Sequence, residues 1–305
     1  MRVFLYAGQG SQFAGMGKDL YDNYAVYRKT ADEADTGFDH ITLMHEGPEE
    51  MLTQTEYTQG CMAVFAAGVT NILREKGIVP DAAAGLSLGE YGALYAAGVW
   101  DEQTYIKTVS FRGRAMAEAA KGKKVSMIAV TGIDAAAAEE ICGNIRGKGF
   151  IGVSNYNCPG QYVICGEEAA AEEAEKLAAD KYRARCIKLK TSGPFHTPLL
   201  EAAGISLSNY FEGIEMNEPG IPVALNVTGK PYEKGMSLKE MLVRQVQSPV
   251  RFEDVLKTLI EAGGTDFIEI GPGKVLTGLL KKTARTMNVK VNAVSVTSSE
   301  DIEKL

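Results

Sequence analysis

Short unbroken apolar runs alternate along this chain with stretches whose apolar residues recur at helical spacing. Val3 to Ala7 is a run of the first kind and reads as a buried strand entering the loop Gly8-Gln9-Gly10-Ser11-Gln12. Cys61, Phe65, Val69, Ile72 and Leu73 share one helical face, which predicts a helix over 58–76. A small-residue strand over 81–84 leads into Gly85-Leu86-Ser87-Leu88-Gly89, and a helix over 90–97 follows. A further helix is expected over 102–119, with Asp101 as its N-cap.

The middle of the chain has another texture. A strand over 125–130 and an Ala/Glu-rich helix over 134–145 come first, then strands over 150–154 and 162–165, a helix over 167–179 and a strand over 185–189. That order, βαββαβ, is the ferredoxin-like pattern. Lys121-Gly122-Lys123-Lys124 and Thr191-Ser192-Gly193-Pro194 flank it as hinges. The expected organisation is therefore a discontinuous large α/β domain, 1–121 and 193–305, with a small ferredoxin-like domain inserted at 122–192. Strands over 266–270, ending in Gly271-Pro272-Gly273, and over 291–296 return the chain to the large domain, whose sheet is expected to be parallel.

Composition narrows the class. The 305 residues are 45% hydrophobic and 23% charged, within the range of globular proteins. No segment reaches bilayer-spanning length, so no membrane partner is expected. A net charge of −7 argues against nucleic acid. Five cysteines without a C-x-x-C pair fit a reduced, cytoplasmic setting. Three histidines, His40, His45 and His196, stand in no metal-ligand spacing, so no metal site is expected. A monomer is the default.

Gly85-Leu86-Ser87-Leu88-Gly89 fits G-x-S-x-G, the nucleophile elbow of α/β-hydrolase-like proteins, in its strand–turn–helix context. Glycines are needed there because the sharp turn leaves no room for Cβ atoms, and the alternative is a glycine-rich packing turn. A serine nucleophile needs a base. His40 and His45 lie in polar surroundings that read as surface, whereas His196 sits on a loop ahead of Thr197-Pro198, an N-cap and first-turn proline. Tyr105, Val109, Arg112 and Met116 step by 4, 3 and 4 residues, placing a guanidinium in an apolar stripe. Such a group needs an anionic partner, and pattern alone leaves open an internal salt bridge, snorkelling to the rim, or a ligand. Neither Gly8–Gln12 nor Gly271–Lys274 meets a nucleotide-binding spacing; both read as tight loops at strand ends.

Together these segments resemble malonyl-CoA:acyl carrier protein transacylases over nearly the whole chain. The likeness rests on Gly8–Gln12, Gly85–Tyr91, Arg112–Met116, Asn155–Gln161, Pro194–His196, Gln245–Val250 and Glu269–Gly273, in that order. It implies that malonyl passes from malonyl-CoA through a Ser87 ester to the phosphopantetheine thiol of acyl carrier protein, for fatty-acid synthesis. His196 would be the base, oriented by the main-chain carbonyl of Gln245, and the oxyanion hole the N–H groups of Gln9 and Leu88. Arg112 would bind the malonyl carboxylate, with Asn157 and Phe195 as further substrate contacts. No bound cofactor is implied; the coenzyme A thioester is substrate. Two departures stand out: Leu86 where the family usually has histidine, and Gly60 where proline is common. Lys181, Arg183, Arg185, Lys188 and Lys190 are candidates for carrier docking or simply a solvated charged face. The alternatives are a stand-alone acyltransferase of a polyketide synthase, a serine hydrolase, and a non-catalytic carrier-binding module.

Overall fold

The computed structural model describes residues 1–145, 147–189 and 193–305. Strand β1 (Arg2–Tyr6) lies at the centre of the larger sheet because its side chains are apolar on both faces. Five helices follow: α1 (Lys18–Asn23), α2 (Ala25–Glu33), α3 (His40–Glu46), α4 (Glu49–Leu52) and α5 (Thr55–Glu75). The last is buried along most of its length. Strand β2 (Ala82–Gly85), α6 (Gly89–Ala96) and α7 (Glu102–Ala120) come next, and Asp101 caps α7 by accepting the Thr104 N–H at 2.7 Å.

A second sheet then forms from β3 (Val125–Thr131), β4 (Ile151–Cys158), β5 (Gln161–Glu167) and β6 (Arg185–Lys188), with α8 (Ala135–Asn144) and α9 (Glu168–Tyr182) between them. Its order, β4-β5-β3-β6, is antiparallel throughout, so the βαββαβ expectation holds in topology as well as in element order. Ala170, Ala171, Ala174 and Ala178 let α9 lie close against that sheet. The expected hinge residues Thr191 and Ser192, the domain boundary at 192, and Lys190 lie outside the described residues.

The chain returns through a 3₁₀ turn (Pro198–Leu200) and α10 (Glu201–Glu212), then β7 (Val223–Ala224), α11 (Leu238–Gln245), α12 (Phe252–Glu261), β8 (Asp266–Ile270), α13 (Val275–Thr286), β9 (Asn292–Val296) and α14 (Ser299–Glu303). The larger sheet runs β7-β2-β1-β8-β9, all parallel. Parallel strands gather their C-terminal loops at one edge, and those after β1, β2 and β8 converge there. Gly271 abuts Ala7 so closely that a Cβ on it would lie 2.3 Å from the Ala7 Cβ. Glu269 is fully buried and caps α13, accepting the Leu276 and Thr277 N–H groups at 2.9 and 2.7 Å.

The two sheets are joined through β4. An isolated parallel bridge pairs Asn155 with Val250, the Val250 N–H donating to Ser154 O at 2.9 Å and the Tyr156 N–H to Val250 O at 2.8 Å. The expectation that His40 lies at the surface is not met. It is buried, with Nε2 2.8 Å from Ala31 O and Nδ1 3.0 Å from Thr36 Oγ1; one carbonyl and one hydroxyl from nearby residues satisfy its two nitrogens despite the polar neighbours.

Candidate active site

Ser87 stands at the turn between β2 and α6. A Cβ on Gly85 would lie 2.0 Å from Gly89 C, and one on Gly89 would lie 2.1 Å from Tyr6 O. Both positions therefore demand glycine, which is the physical content of the elbow motif. Ser87 itself takes a left-handed backbone, φ 56°, a conformation costing a non-glycine residue about 1–3 kcal/mol. The turn is pinned on both sides: the Ser87 N–H donates to Asn226 Oδ1 at 2.7 Å, and Gln245 Nε2 donates to Ser87 O at 2.9 Å.

His196 is buried and also left-handed, φ 60°. Its Nε2 lies 2.7 Å from Ser87 Oγ, and its Nδ1 lies 2.8 Å from the Gln245 carbonyl. The carbonyl can only accept, so Nδ1 carries the proton and Nε2 is left to receive one from the serine. Burial, then the charge of Arg112, pushes the imidazole down to about 3, so it is neutral near pH 7. Thr197 does not cap the following turn through its side chain; its hydroxyl donates to Pro194 O at 2.7 Å.

Arg112 is 0% exposed, so it does not snorkel. Nor is it in an ion pair, since none among the described residues includes it. Its guanidinium donates to Gln59 Oε1 at 2.7 Å, Gln245 Oε1 at 3.0 Å and Ser87 Oγ at 3.1 Å, and lies 5.2 Å from the centre of the Tyr91 ring. Its Nε is buried with no acceptor among the described residues. Neutral amides and a ring face soften the desolvation of this cation without discharging it. Of the three readings left open by the helical pattern, the anionic ligand fits this geometry.

The loop after β1 faces the elbow, and neither the Gln9 nor the Leu88 N–H donates to another described group. A cavity of about 250 Å³ opens in front of Ser87. Gly8, Gln9, Leu86 and Ser87 line it from the large sheet's loops, while Met127, Asn157 and Val163 line it from the small sheet. Phe195 and His196 complete one wall. The Asn157 Oδ1 is buried without a partner among the described residues. Of the residues singled out in the sequence, Ser87, His196, Gln9, Asn157 and Phe195 line this space, Arg112 and Gln245 reach its edge through hydrogen bonds to Ser87, and Leu88 follows Ser87 without lining it.

Three contributors escaped the sequence reading: Gln59 as an Arg112 partner, Asn226 as the clamp on Ser87, and the Gln245 side chain as a bridge between Arg112 and Ser87. Their amides carry no spacing signal, because each acts from a segment remote in sequence. At the departure Gly60, a Cβ would come within 2.9 Å of Ser110 Oγ, so the site has closed around the missing side chain. Leu86 lines the cavity and packs on the apolar cluster around β2.

Comparison with known proteins agrees with this picture. The acyl transferase domain family matches residues 3–303. A malonyl CoA-acyl carrier protein transacylase of Bacillus subtilis is 39% identical over 99% of this chain and 95% of its own. The crystal structure of the transacylase of that name from Clostridium perfringens superposes with a TM-score of 0.93 at 34% identity, covering 99% of this chain and 95% of that one. A malonyl-transacylase solved with the holo acyl-carrier protein of a type II polyketide synthase gives 0.93 at 35% identity, over 99% and 98%. With an elbow serine, a carbonyl-held histidine and a buried arginine aimed at the serine, the chain belongs to the malonyl CoA-acyl carrier protein transacylase family.

Proposed function

We propose that this protein transfers malonyl from malonyl-CoA to the phosphopantetheine thiol of acyl carrier protein through a malonyl ester on Ser87. The observation that carries the reading is Arg112, fully buried, in no ion pair among the described residues, and 3.1 Å from the serine oxygen. An acyl group ending in a carboxylate gives that cation its counter-ion while holding the thioester carbon against Ser87. Acetyl leaves the cation unpaired, which is a strong basis for discrimination.

In the first half-reaction Ser87 Oγ attacks the thioester carbonyl and its proton passes to His196 Nε2. The Gln9 and Leu88 N–H groups stabilise the oxyanion. The C–S bond breaks, and coenzyme A leaves as the thiol with the proton from His196. In the second half-reaction the carrier's thiol gives its proton to His196 and attacks the ester, and Ser87 regains the proton as it departs. The cleft walls of Met127, Val163 and Phe195 keep water from the ester. A carbonyl rather than a carboxylate on Nδ1 makes this a dyad, unlike the acid-containing triad of the serine hydrolases.

Fatty-acid synthesis is the setting proposed, with the cytoplasm as the location and a monomer as the working unit. No helix among the described residues is long and apolar enough to cross a membrane. Likeness to the transacylase solved with a polyketide-synthase carrier favours a second reading, supply of malonyl to such a synthase. Lys181 and Lys188 are engaged with Glu140 and Glu175, which weakens their candidacy for carrier docking relative to Arg183 and Arg185. Intact mass after rapid quench with malonyl-CoA should show a malonyl adduct that is absent in Ser87→Ala. An unmodified mass in the unaltered protein would sink the covalent route. Competition between fatty-acid and polyketide carriers decides the pathway.

A further inference from the structure

Behind the elbow lies a second buried ionisable group that this chemistry does not use. Glu90 is 0% exposed and sits in the first turn of α6. Its Oε2 accepts the backbone N–H of Asn226, the residue whose side chain holds the Ser87 N–H. Its Oε1 is buried with no donor among the described residues. An ionised carboxylate does not remain half-satisfied in a dry site without a compensating charge nearby. The acting groups are few. Arg112 from α7 lies 5.2 Å from the ring of Tyr91, the residue next to Glu90, and donates to Gln245 of α11 at 3.0 Å. The cation is thus a near neighbour that attracts Glu90 without pairing with it directly; Gln245 supports the ionised form, and Tyr91 contributes a buried neutral phenol.

We infer that Glu90 is a positioning residue that serves as the remote counter-ion of Arg112 and takes up one proton from solvent when a substrate carboxylate replaces it in that role. The inference rests on the carboxylate reading of Arg112. Two anions around a single guanidinium leave a net buried negative charge, and the one not hydrogen-bonded to the guanidinium is the cheaper to neutralise. Burial already raises Glu90 to about 7, opposed by the Asn226 N–H, Gln245 and Arg112. Pairing Arg112 with malonyl withdraws the last of these and adds a like charge, so Glu90 shifts further up. Protonated, it still accepts the Asn226 N–H and so keeps the clamp on Ser87. The active site thereby stays neutral as the acid enters, and the elbow does not move.

The sign follows by linkage. A site that must gain a proton to bind loses affinity as pH rises above the free group's pKa, by up to about tenfold per pH unit. Malonyl-CoA should bind more weakly from about pH 7 upward, whereas acetyl-CoA should not respond there. The test is calorimetric titration of the Ser87→Ala protein, which binds without acylation, in buffers of contrasting ionisation enthalpy. Malonyl-CoA should take up roughly half to one proton at about pH 7.5, acetyl-CoA none, and malonyl-CoA none when Glu90→Gln is added. Buffer-independent heat with malonyl-CoA overturns the inference, as does uptake that persists in Glu90→Gln. Should Glu90→Gln fail to fold, the pH dependence of uptake in Ser87→Ala decides. Glu90 already holds its proton at about pH 5.5, so uptake must vanish there; uptake that persists at that pH, or its absence at about pH 7.5, overturns the inference. Equal affinities for malonyl-CoA and acetyl-CoA would instead remove the carboxylate reading of Arg112, a separate result.

Discussion

Replacing Arg112 by alanine removes the proposed anchor while leaving the serine and its base in place. The magnitude follows from the hydrogen bonds open to a substrate carboxylate. Nε has no acceptor among the described residues, and the nitrogen that donates to Ser87 Oγ at 3.1 Å can turn to the ligand, which together offer a paired fork. Each hydrogen bond to a charged group contributes about 1.5–3 kcal/mol, so the pair supplies roughly 3–6 kcal/mol. At 1.36 kcal/mol per tenfold, kcat/KM for malonyl-CoA should fall by about 10² to 10⁴. Acetyl-CoA never uses the fork, and its kcat/KM should change by less than about tenfold, rising if anything as the unpaired cation disappears. The assay is transfer to holo carrier protein from each thioester, with the malonyl to acetyl ratio as readout. Loss of Arg112 also deprives Gln59 and Gln245 of their donor. Labelling of Ser87 by a neutral sulfonyl fluoride therefore accompanies the assay as a check on the dyad. Equal losses for both thioesters, with labelling intact, would refute the argument.

Because the His196 imidazole is pushed down to about 3, kcat/KM for acylation should hold steady well below pH 6.5, with an acid limb displaced toward that value; an acid limb at 6.5 would contradict it. The same depression has a stability consequence. The unfolded chain binds the proton first, so stability is fully present above about 6.5 and is lost as pH falls toward about 3, and a His196→Asn protein should lose less over that window in urea melts. Gly89→Ala should cost about 3 kcal/mol or prevent folding, because the new Cβ meets Tyr6 O at 2.1 Å and backbone cannot yield. Gly278→Ala, exposed in α13 with nothing nearby, should stabilise by about 0.5–1 kcal/mol. Similar denaturation midpoints for the two alanine variants would show that the close approach at the elbow is not what fixes glycine there.

The legibility of this site in sequence divides along physical lines. Ser87 was readable because its constraint is local: two glycines forced by backbone contacts within a few residues of each other and of β1. The small sheet was readable because its alternation of strands and alanine-rich helices is a pattern of neighbours. Arg112 was visible as an anomaly, yet its meaning was not, because that depends on which carboxylates the fold does not bring near. Asn226 and the side chain of Gln245 gave no signal; an amide becomes a clamp only when segments 139 and 158 residues from Ser87 are folded onto it. His40 misled for the converse reason. Asp39 and Glu46 face outward and gave its surroundings a polar texture, while its own ring turns inward to two fixed partners.

The bridge between Asn155 and Val250 has a mechanical meaning. Val250 ends the segment that begins with Gln245, whose carbonyl aims His196, and the two hydrogen bonds to Val250 fasten that segment to β4. Cation–π contact of Arg251 with Tyr156, 5.4 Å from the ring centre, tightens the same joint. The small sheet thus cannot swing away on this side without pulling the base off the nucleophile. The two halves behave as a vice with one welded corner rather than as a pair of jaws. Thioester and carrier arm must thread into a gap pinned at that corner, and a flexible pantetheine chain is the shape of substrate that such a gap admits.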